Sequence, residues 1–239
     1  GSVSRRRILI EMRGIEQFYG GTQILWDLSL SIGSGSCVSI LGRNGVGKTT
    51  LLKSLMGVIP ISAGKIILNG EDFTKEPVSS RARHGVGFVP QGRDIFPSLT
   101  VEENLQVGLK ARGDRLKNIP QRVFDLFPVL YDMLNRSGGD LSGGQQQQLA
   151  IGRALVIEPN LLILDEPNEG IQPSIVKHIG EVISLLNRAE GVTVLLVEQK
   201  LAFAKRVTEE FRLMDKGSFV AAGEMSELSE HLISRHLSV

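Results

Sequence analysis

The segment Gly42-Arg43-Asn44-Gly45-Val46-Gly47-Lys48-Thr49 constrains the fold more than any other stretch of the chain. It has the spacing of a phosphate-binding loop and lies between an apolar run, Cys37-Val38-Ser39-Ile40-Leu41, and a helix predicted over residues 50–56. Its glycines let the backbone curl until successive N–H groups and a helix N-terminus face one anion. Lys48 brings charge to the β- and γ-phosphates of a nucleotide, and Thr49, followed by Thr50, offers a hydroxyl to Mg²⁺. A loop of this kind needs a buried strand before it and a helix after it, which points to an α/β protein.

The rest of the chain fits that architecture. Short β-branched runs at residues 8–10, 28–32, 38–41, 65–68, 86–89, 161–164, 192–197, 211–214 and 219–222 alternate with longer amphipathic segments. They predict a central, mostly parallel sheet with helices on its faces and an antiparallel β portion. Between residues 91 and 159 the strand signals stop. Helical ones take over, beginning with the capping box Thr100-Val101-Glu102-Glu103, so a helical lobe is predicted as an insertion. Pro173 suits the start of a helix reaching about residue 189. The predicted organisation is a nucleotide-binding core over residues 8–91, the helical lobe over 92–158, the rest of the core over 159–225 and a C-terminal helical tail over 226–239.

Composition removes several function classes. A formal net charge of +1, with acidic and basic residues interspersed, leaves no electrostatic footprint for nucleic acid. Arg5-Arg6-Arg7 reads as a solvated arm. The single cysteine, Cys37, sits in an apolar run and reads as a core thiol. No stretch approaches the roughly 18 to 20 apolar residues that span a bilayer. Membrane association is therefore expected to come through a partner.

Two further segments carry chemistry. Leu161-Leu162-Ile163-Leu164-Asp165-Glu166 is an apolar strand ending in two carboxylates at the edge where α/β sheets present ligands. Asp165 suits Mg²⁺, directly or through water, and Glu166 suits polarising an attacking water. Leu141-Ser142-Gly143-Gly144-Gln145 precedes a helix predicted over residues 146–156. Capping accounts for Ser142 and Gln145. It leaves the paired glycines, which would let backbone amides approach a second phosphate group.

The phosphate loop, the Leu-Ser-Gly-Gly-Gln segment and the strand ending Asp-Glu, in that order, resemble the ATP-binding cassette family over essentially the whole chain. The resemblance implies a P-loop NTPase fold, MgATP as ligand and ATP hydrolysis. It implies a head-to-tail pair of cassettes, either this chain with itself or with a related paralogue. Each ATP is then expected between one phosphate loop and the partner cassette's counterpart of Ser142-Gly143-Gly144-Gln145. By resemblance, Gln91 links the core to the helical lobe and senses Mg²⁺, and Tyr19 stacks on adenine. The expected catalytic set is Glu166, Lys48 and Gln199, with Thr49, Gln91 and Asp165 around the metal.

A closer resemblance is to importer cassettes for branched-chain amino acids and amides, and among them to urea-uptake subunits. It rests on Gly87-Phe88-Val89-Pro90-Gln91-Gly92-Arg93-Asp94-Ile95-Phe96-Pro97, on residues 141–155 and on Asp165-Glu166-Pro167-Asn168-Glu169-Gly170-Ile171-Gln172-Pro173. The expectation is an ATPase subunit at the cytoplasmic face of the inner membrane, peripheral to permease subunits and indirectly served by a solute-binding protein. The expected solute is urea or a short amide, with branched-chain amino acids as the alternative and a soluble, non-transport cassette as a more distant one. Departures from the family are visible. Glu198-Gln199 stands where many cassettes carry a histidine, Gln172 where an aspartate is common and Gln148 where an arginine is usual. His84, His178, His231 and His236 show no metal spacing and read as surface or packing residues.

Overall fold

The computed structural model describes residues 6–113 and 118–238, so Arg5 of the basic cluster lies outside it. The chain opens with an antiparallel hairpin, β1 (Ile8–Tyr19) and β2 (Thr22–Gly33), turning at Gly20-Gly21 with Gly20 at φ +57°. Sequence reading predicts only the stretches 8–10 and 28–32, whereas each strand is 12 residues long. The reason is local. Register shifts between Met12 and Ile15 and between Ile15 and Gln17 break the two-residue period that exposes a strand in sequence.

The hairpin is followed by β3 (Cys37–Leu41), α1 (Lys48–Met56), β4 (Ala63–Leu68), β5 (Glu71–Asp72), α2 (Ser79–Arg83) and β6 (Val86–Val89). Next come α3 (Val101–Ala111), α4 (Gln121–Leu126), α5 (Pro128–Asp132) and α6 (Gly143–Leu155). The last elements are β7 (Leu161–Asp165), α7 (Pro173–Arg188), β8 (Thr193–Glu198), α8 (Leu201–Val207), β9 (Glu210–Asp215), β10 (Ser218–Glu224) and α9 (Glu230–His236). Among the described residues, no helix is long and apolar enough to cross a membrane.

Two sheets organise these elements. One is antiparallel, in the order β2-β1-β4-β5; the other runs β10-β9-β3-β8-β7-β6 and is parallel except for the β9–β10 pair. β3, β7 and β8 are buried at every position, as expected of strands covered on both faces. Their side chains alternate between two cores. Leu162, Leu164, Val194 and Leu196 pack with α3, α6 and α7. Ile163, Leu195 and Val197 pack with α1 and the antiparallel sheet. The parallel sheet is thus held between a helical layer and a second layer built from β1, β2, β4 and α1. Cys37 is buried, which pushes its thiol up to about 12 and leaves it inert.

Caps set the helix starts in the inserted region. The Thr100 hydroxyl accepts from Glu103 N at 3.1 Å and Glu103 Oε1 accepts from Thr100 N at 3.0 Å, which fixes the start of α3. Ser142 and Gln145 form the same box, at 3.2 and 3.0 Å. Because Ser142 is the cap, α6 begins at Gly143, three residues before the predicted start; both glycines belong to its first turn. α1 likewise begins at Lys48, directly after Gly47 in left-handed backbone at φ +111°.

Arg81 braces the junction behind the phosphate loop, and sequence reading overlooks it. The side chain is completely buried. Its guanidinium donates to the carbonyls of Leu55 at 3.0 Å, Phe73 at 3.2 Å and Glu76 at 2.7 Å. Leu55 lies in the last turn of α1, whose final carbonyls lack helical partners, so the fork ties that end to the loop after β5. Replacing Arg81 by Leu strands these carbonyls and is expected to lower unfolding free energy by about 3 kcal/mol in urea titrations. Arg81→Lys should recover only part of that, since an ammonium cannot fork across separate acceptors.

Candidate active site

The phosphate loop spans the gap between the end of β3 and the start of α1. Gly45, at φ +83°, and Gly47 adopt backbone that side-chain-bearing residues avoid. Gly42 is required for a different reason: a Cβ there would lie 2.7 Å from the Val46 side chain and 2.8 Å from the Met214 carbonyl. Behind the loop, Gly217 N donates to Val46 O at 2.8 Å, so the β9–β10 turn supports it.

Lys48 is buried, and its ammonium donates to the Gly42 carbonyl and, at 3.2 Å, to that of Arg43. Burial lowers its pKa, while the carboxylates of Glu166, Asp165 and Glu198 pull the other way. Thr50 lines the same cleft, as do Asn44 and Gly45. The Arg43 side chain leaves the cleft, donating to the Arg235 carbonyl of α9 at 3.2 Å. Val46 packs toward the core.

Thr49 Oγ1 donates to Asp165 Oδ2 at 3.2 Å. The other carboxylate oxygen, Oδ1, is buried and has no hydrogen-bond partner among the described residues. Burial pushes the Asp165 carboxyl up to about 6, partly offset by the Thr49 hydroxyl. A buried carboxylate oxygen without a partner beside a threonine hydroxyl is a hard-oxygen donor set, and it fits Mg²⁺. Glu166 follows at φ +46°, its N–H held by Val197 O at 2.9 Å. That left-handed residue turns the carboxylate out of the sheet edge. Burial raises the Glu166 carboxyl, and Lys48 opposes the shift.

Gln91 follows β6 by two residues, and its Nε2 donates to Glu166 Oε2 at 3.0 Å and to Glu169 Oε2 at 2.9 Å. The amide nitrogen is thereby occupied, and the carbonyl oxygen Oε1 is the atom Gln91 can offer a metal. Gln199, exposed after β8, faces the same cleft.

Other predicted residues lie elsewhere. Tyr19, 46% exposed at the tip of β1, does not line the cleft; its hairpin contributes Ile24 instead. Ser142, Gly143, Gly144 and Gln145 sit at the N-terminus of α6, outside the cleft lining. The Arg93 guanidinium lies over Gly143, where a Cβ would stand 3.1 Å from Nη2. Gln172 caps α7 from its backbone and Gln148 is buried in α6. His178 and His84 bond backbone carbonyls and His236 bonds Asp215 at 2.9 Å.

Two residues at the site carry no sequence-based role. Glu169 shares Gln91 with Glu166. Glu198, 1% exposed, ends β8 with Oε1 accepting from Gln199 N at 3.0 Å and Lys200 N at 2.8 Å. Its Oε2 has no partner among the described residues, and burial pushes the carboxyl up to about 7. A signal existed: the apolar run 192–197 ends in an acid just as the run 161–164 does.

Comparison with known proteins places this geometry. The chain matches the family model described as ABC transporter over residues 25–169. It is 41% identical over 207 residues to the high-affinity branched-chain amino acid transport ATP-binding protein BraG of Pseudomonas aeruginosa, covering 86% of this chain and 88% of that one. It is 36% identical over 214 residues to the probable branched-chain amino acid transport ATP-binding protein LivF of Archaeoglobus fulgidus, covering 89% and 91%. A solved nucleotide-free ATP-binding cassette from an ABC transporter superposes with a TM-score of 0.82 at 25% identity, covering 97% of this chain and 96% of that one.

The raised Asp165 carboxyl gives a signed expectation for stability without metal. The folded chain retains a proton up to about pH 6, whereas the unfolded chain releases it near 3.8. The stability linked to that proton is full below the lower value and lost as pH rises through the upper one, about 3 kcal/mol in all at roughly 1.4 kcal/mol per unit. Asp165→Asn should therefore melt several degrees above wild type in chelator at pH 8, with the gap closing toward pH 4. Thermal melts across that range check it.

Proposed function

Because this chain belongs to the ABC transporter family and hydrolyses ATP with Mg²⁺, we propose that it is the ATPase subunit of an importer for branched-chain amino acids. The observation that carries this reading is its 41% identity over 86% of its length to a cassette named for that transport. Urea or a short amide, the solute favoured from sequence, has no counterpart in the relatives described above. The assignment therefore moves to the alternative.

Within this reading, each site residue has a chemical task. The loop amides and Lys48 hold the β- and γ-phosphates, and burial of Lys48 strengthens that contact by excluding competing water. Thr49 and Asp165 would hold Mg²⁺, with Gln91 Oε1 within the same set, and the metal would supply charge neutralisation to the nucleotide's phosphates. Glu166 orients the attacking water and accepts its proton, a role its raised pKa suits. Gln199 donates a hydrogen bond to the γ-phosphate without changing charge across neutral pH. Tyr19, carried on the same hairpin as Ile24, contributes base stacking.

The signature residues Ser142, Gly143, Gly144 and Gln145 lie outside the cleft formed by this chain's phosphate loop. That arrangement supports a head-to-tail pair in which they close the partner cassette's site. The groove lined by Val58, Phe88, Pro90 and Gln91 supports docking of a permease segment, since Gln91 joins it to Glu166. The subunit is then peripheral, at the cytoplasmic face of the membrane.

Lys48 and Glu166 should separate binding from chemistry. Lys48→Ala is expected to weaken MgATP binding itself in fluorescence titrations. Glu166→Gln should retain ATP, run as a closed dimer in size-exclusion chromatography and hydrolyse at least about a hundredfold more slowly. For the solute, cells expressing the Glu166→Gln chain with its permease should lose uptake of labelled leucine and keep uptake of labelled urea. The reverse pattern would restore the urea reading.

A further inference from the structure

We propose that Glu198 is a positioning residue for ATP hydrolysis, whose side chain fixes the turn that carries Gln199 into the cleft. β8 is the central strand of the site: Glu198 pairs with Leu41, the residue before the phosphate loop, and Val197 pairs with Asp165. Glu198 is therefore the last ordered rung between the two segments that hold phosphate and metal. The chain leaves the sheet immediately after it, through Gln199 and Lys200, to enter α8.

Among the described residues, that turn has no other side-chain anchor of this kind. Lys200 caps α8 without a side-chain hydrogen bond. The free N–H groups of Gln199 and Lys200 are instead both taken by Glu198 Oε1, at 3.0 and 2.8 Å. A carboxylate folded back onto its next two amides sets the local backbone, and with it the direction in which Gln199 leaves the sheet. The arrangement is demanding energetically. The side chain is 1% exposed, its second oxygen has no partner among the described residues, and it lies within electrostatic reach of Lys48 and Glu166. Burying a carboxyl without full satisfaction costs stability. Capping a surface turn would not require such a residue in the middle of a parallel sheet, whereas fixing a group beside the γ-phosphate to a fraction of an ångström does.

The inference rests on the reading of Gln199 as a donor to the γ-phosphate, and the test separates the two. The full chain, copurified with its permease subunits, is assayed for MgATP hydrolysis. Glu198→Ala is expected to lower kcat about tenfold with KM within about twofold, and Glu198→Gln, whose carbonyl oxygen still accepts, to stay within about threefold of wild type. Gln199→Ala should show a loss like that of Glu198→Ala. Since one residue acts through the other, the double variant should be no slower than the worse single one. If Glu198→Ala does not fold, Glu198→Met fills the volume without an acceptor and carries the same expectation. Wild-type kcat in the Ala or Met variant, losses that multiply in the double variant, or a Gln variant as slow as Ala would overturn the proposal while leaving Gln199 in place. Wild-type kcat in Gln199→Ala would instead remove the role of Gln199 and this inference with it.

Discussion

The hydrogen bond from Thr49 Oγ1 to Asp165 Oδ2 joins residues 116 positions apart and closes the site. It forms because β3 and β7 flank β8 in parallel, so their C-terminal ends emerge at one edge of the sheet. α1 then starts where β3 has stopped, and its first turn presents Lys48 and Thr49 toward the end of β7. If β8 were absent or antiparallel, the phosphate loop and the acidic pair would not meet. The buried parallel sheet, with apolar side chains on both faces, is the frame on which every charged group of the site depends.

That frame brings ionisable groups into poorly solvated positions. Lys48, Asp165 and Glu198 are all at least nine-tenths buried, and each is shifted toward its neutral form by burial. Attraction of the two carboxylates to Lys48 offsets part of the cost, while Asp165 Oδ1 and Glu198 Oε2 have no partners among the described residues. A site of this kind is less stable alone than an apolar one would be. It gains its full set of contacts only with ligands that bring both cation and phosphate, which couples occupancy of the site to stability of the core.

The supporting layers serve the same edge. Arg81 holds the far end of α1, the β9–β10 turn holds Val46, and Gln91 connects the start of the helical region to Glu166 and Glu169. One amide group thus ties the segment that enters the helical region to the Glu166 carboxylate. The signature segment, by contrast, is organised locally: its cap is satisfied internally by Ser142 and Gln145, with the Arg93 guanidinium over Gly143 and Ile175 against Gly144.

Local chemistry was legible in the sequence wherever consecutive residues carry it. The phosphate loop, the acid-ended strand 161–166, the capping boxes at Thr100 and Ser142 and the alternation of strand and helix all follow from short-range rules of glycine freedom, hydrogen-bond satisfaction and apolar period. Elements whose period is broken were not legible in full, as with the bulged hairpin β1–β2, nor were very short ones such as β5 and α2. Pairings between distant residues had no sequence signal at all. Arg81 carried no mark in the sequence until carbonyls from the end of α1 and from the loop after β5 converged on it, and Glu198 became a buried carboxyl only when β3 and β7 closed on either side of β8. Sequence determined which groups could bind phosphate and metal, because those capacities reside in side chains and local backbone. Tertiary structure decided which of them share one cleft, because that depends on strand order, and strand order is set by packing across the whole sheet.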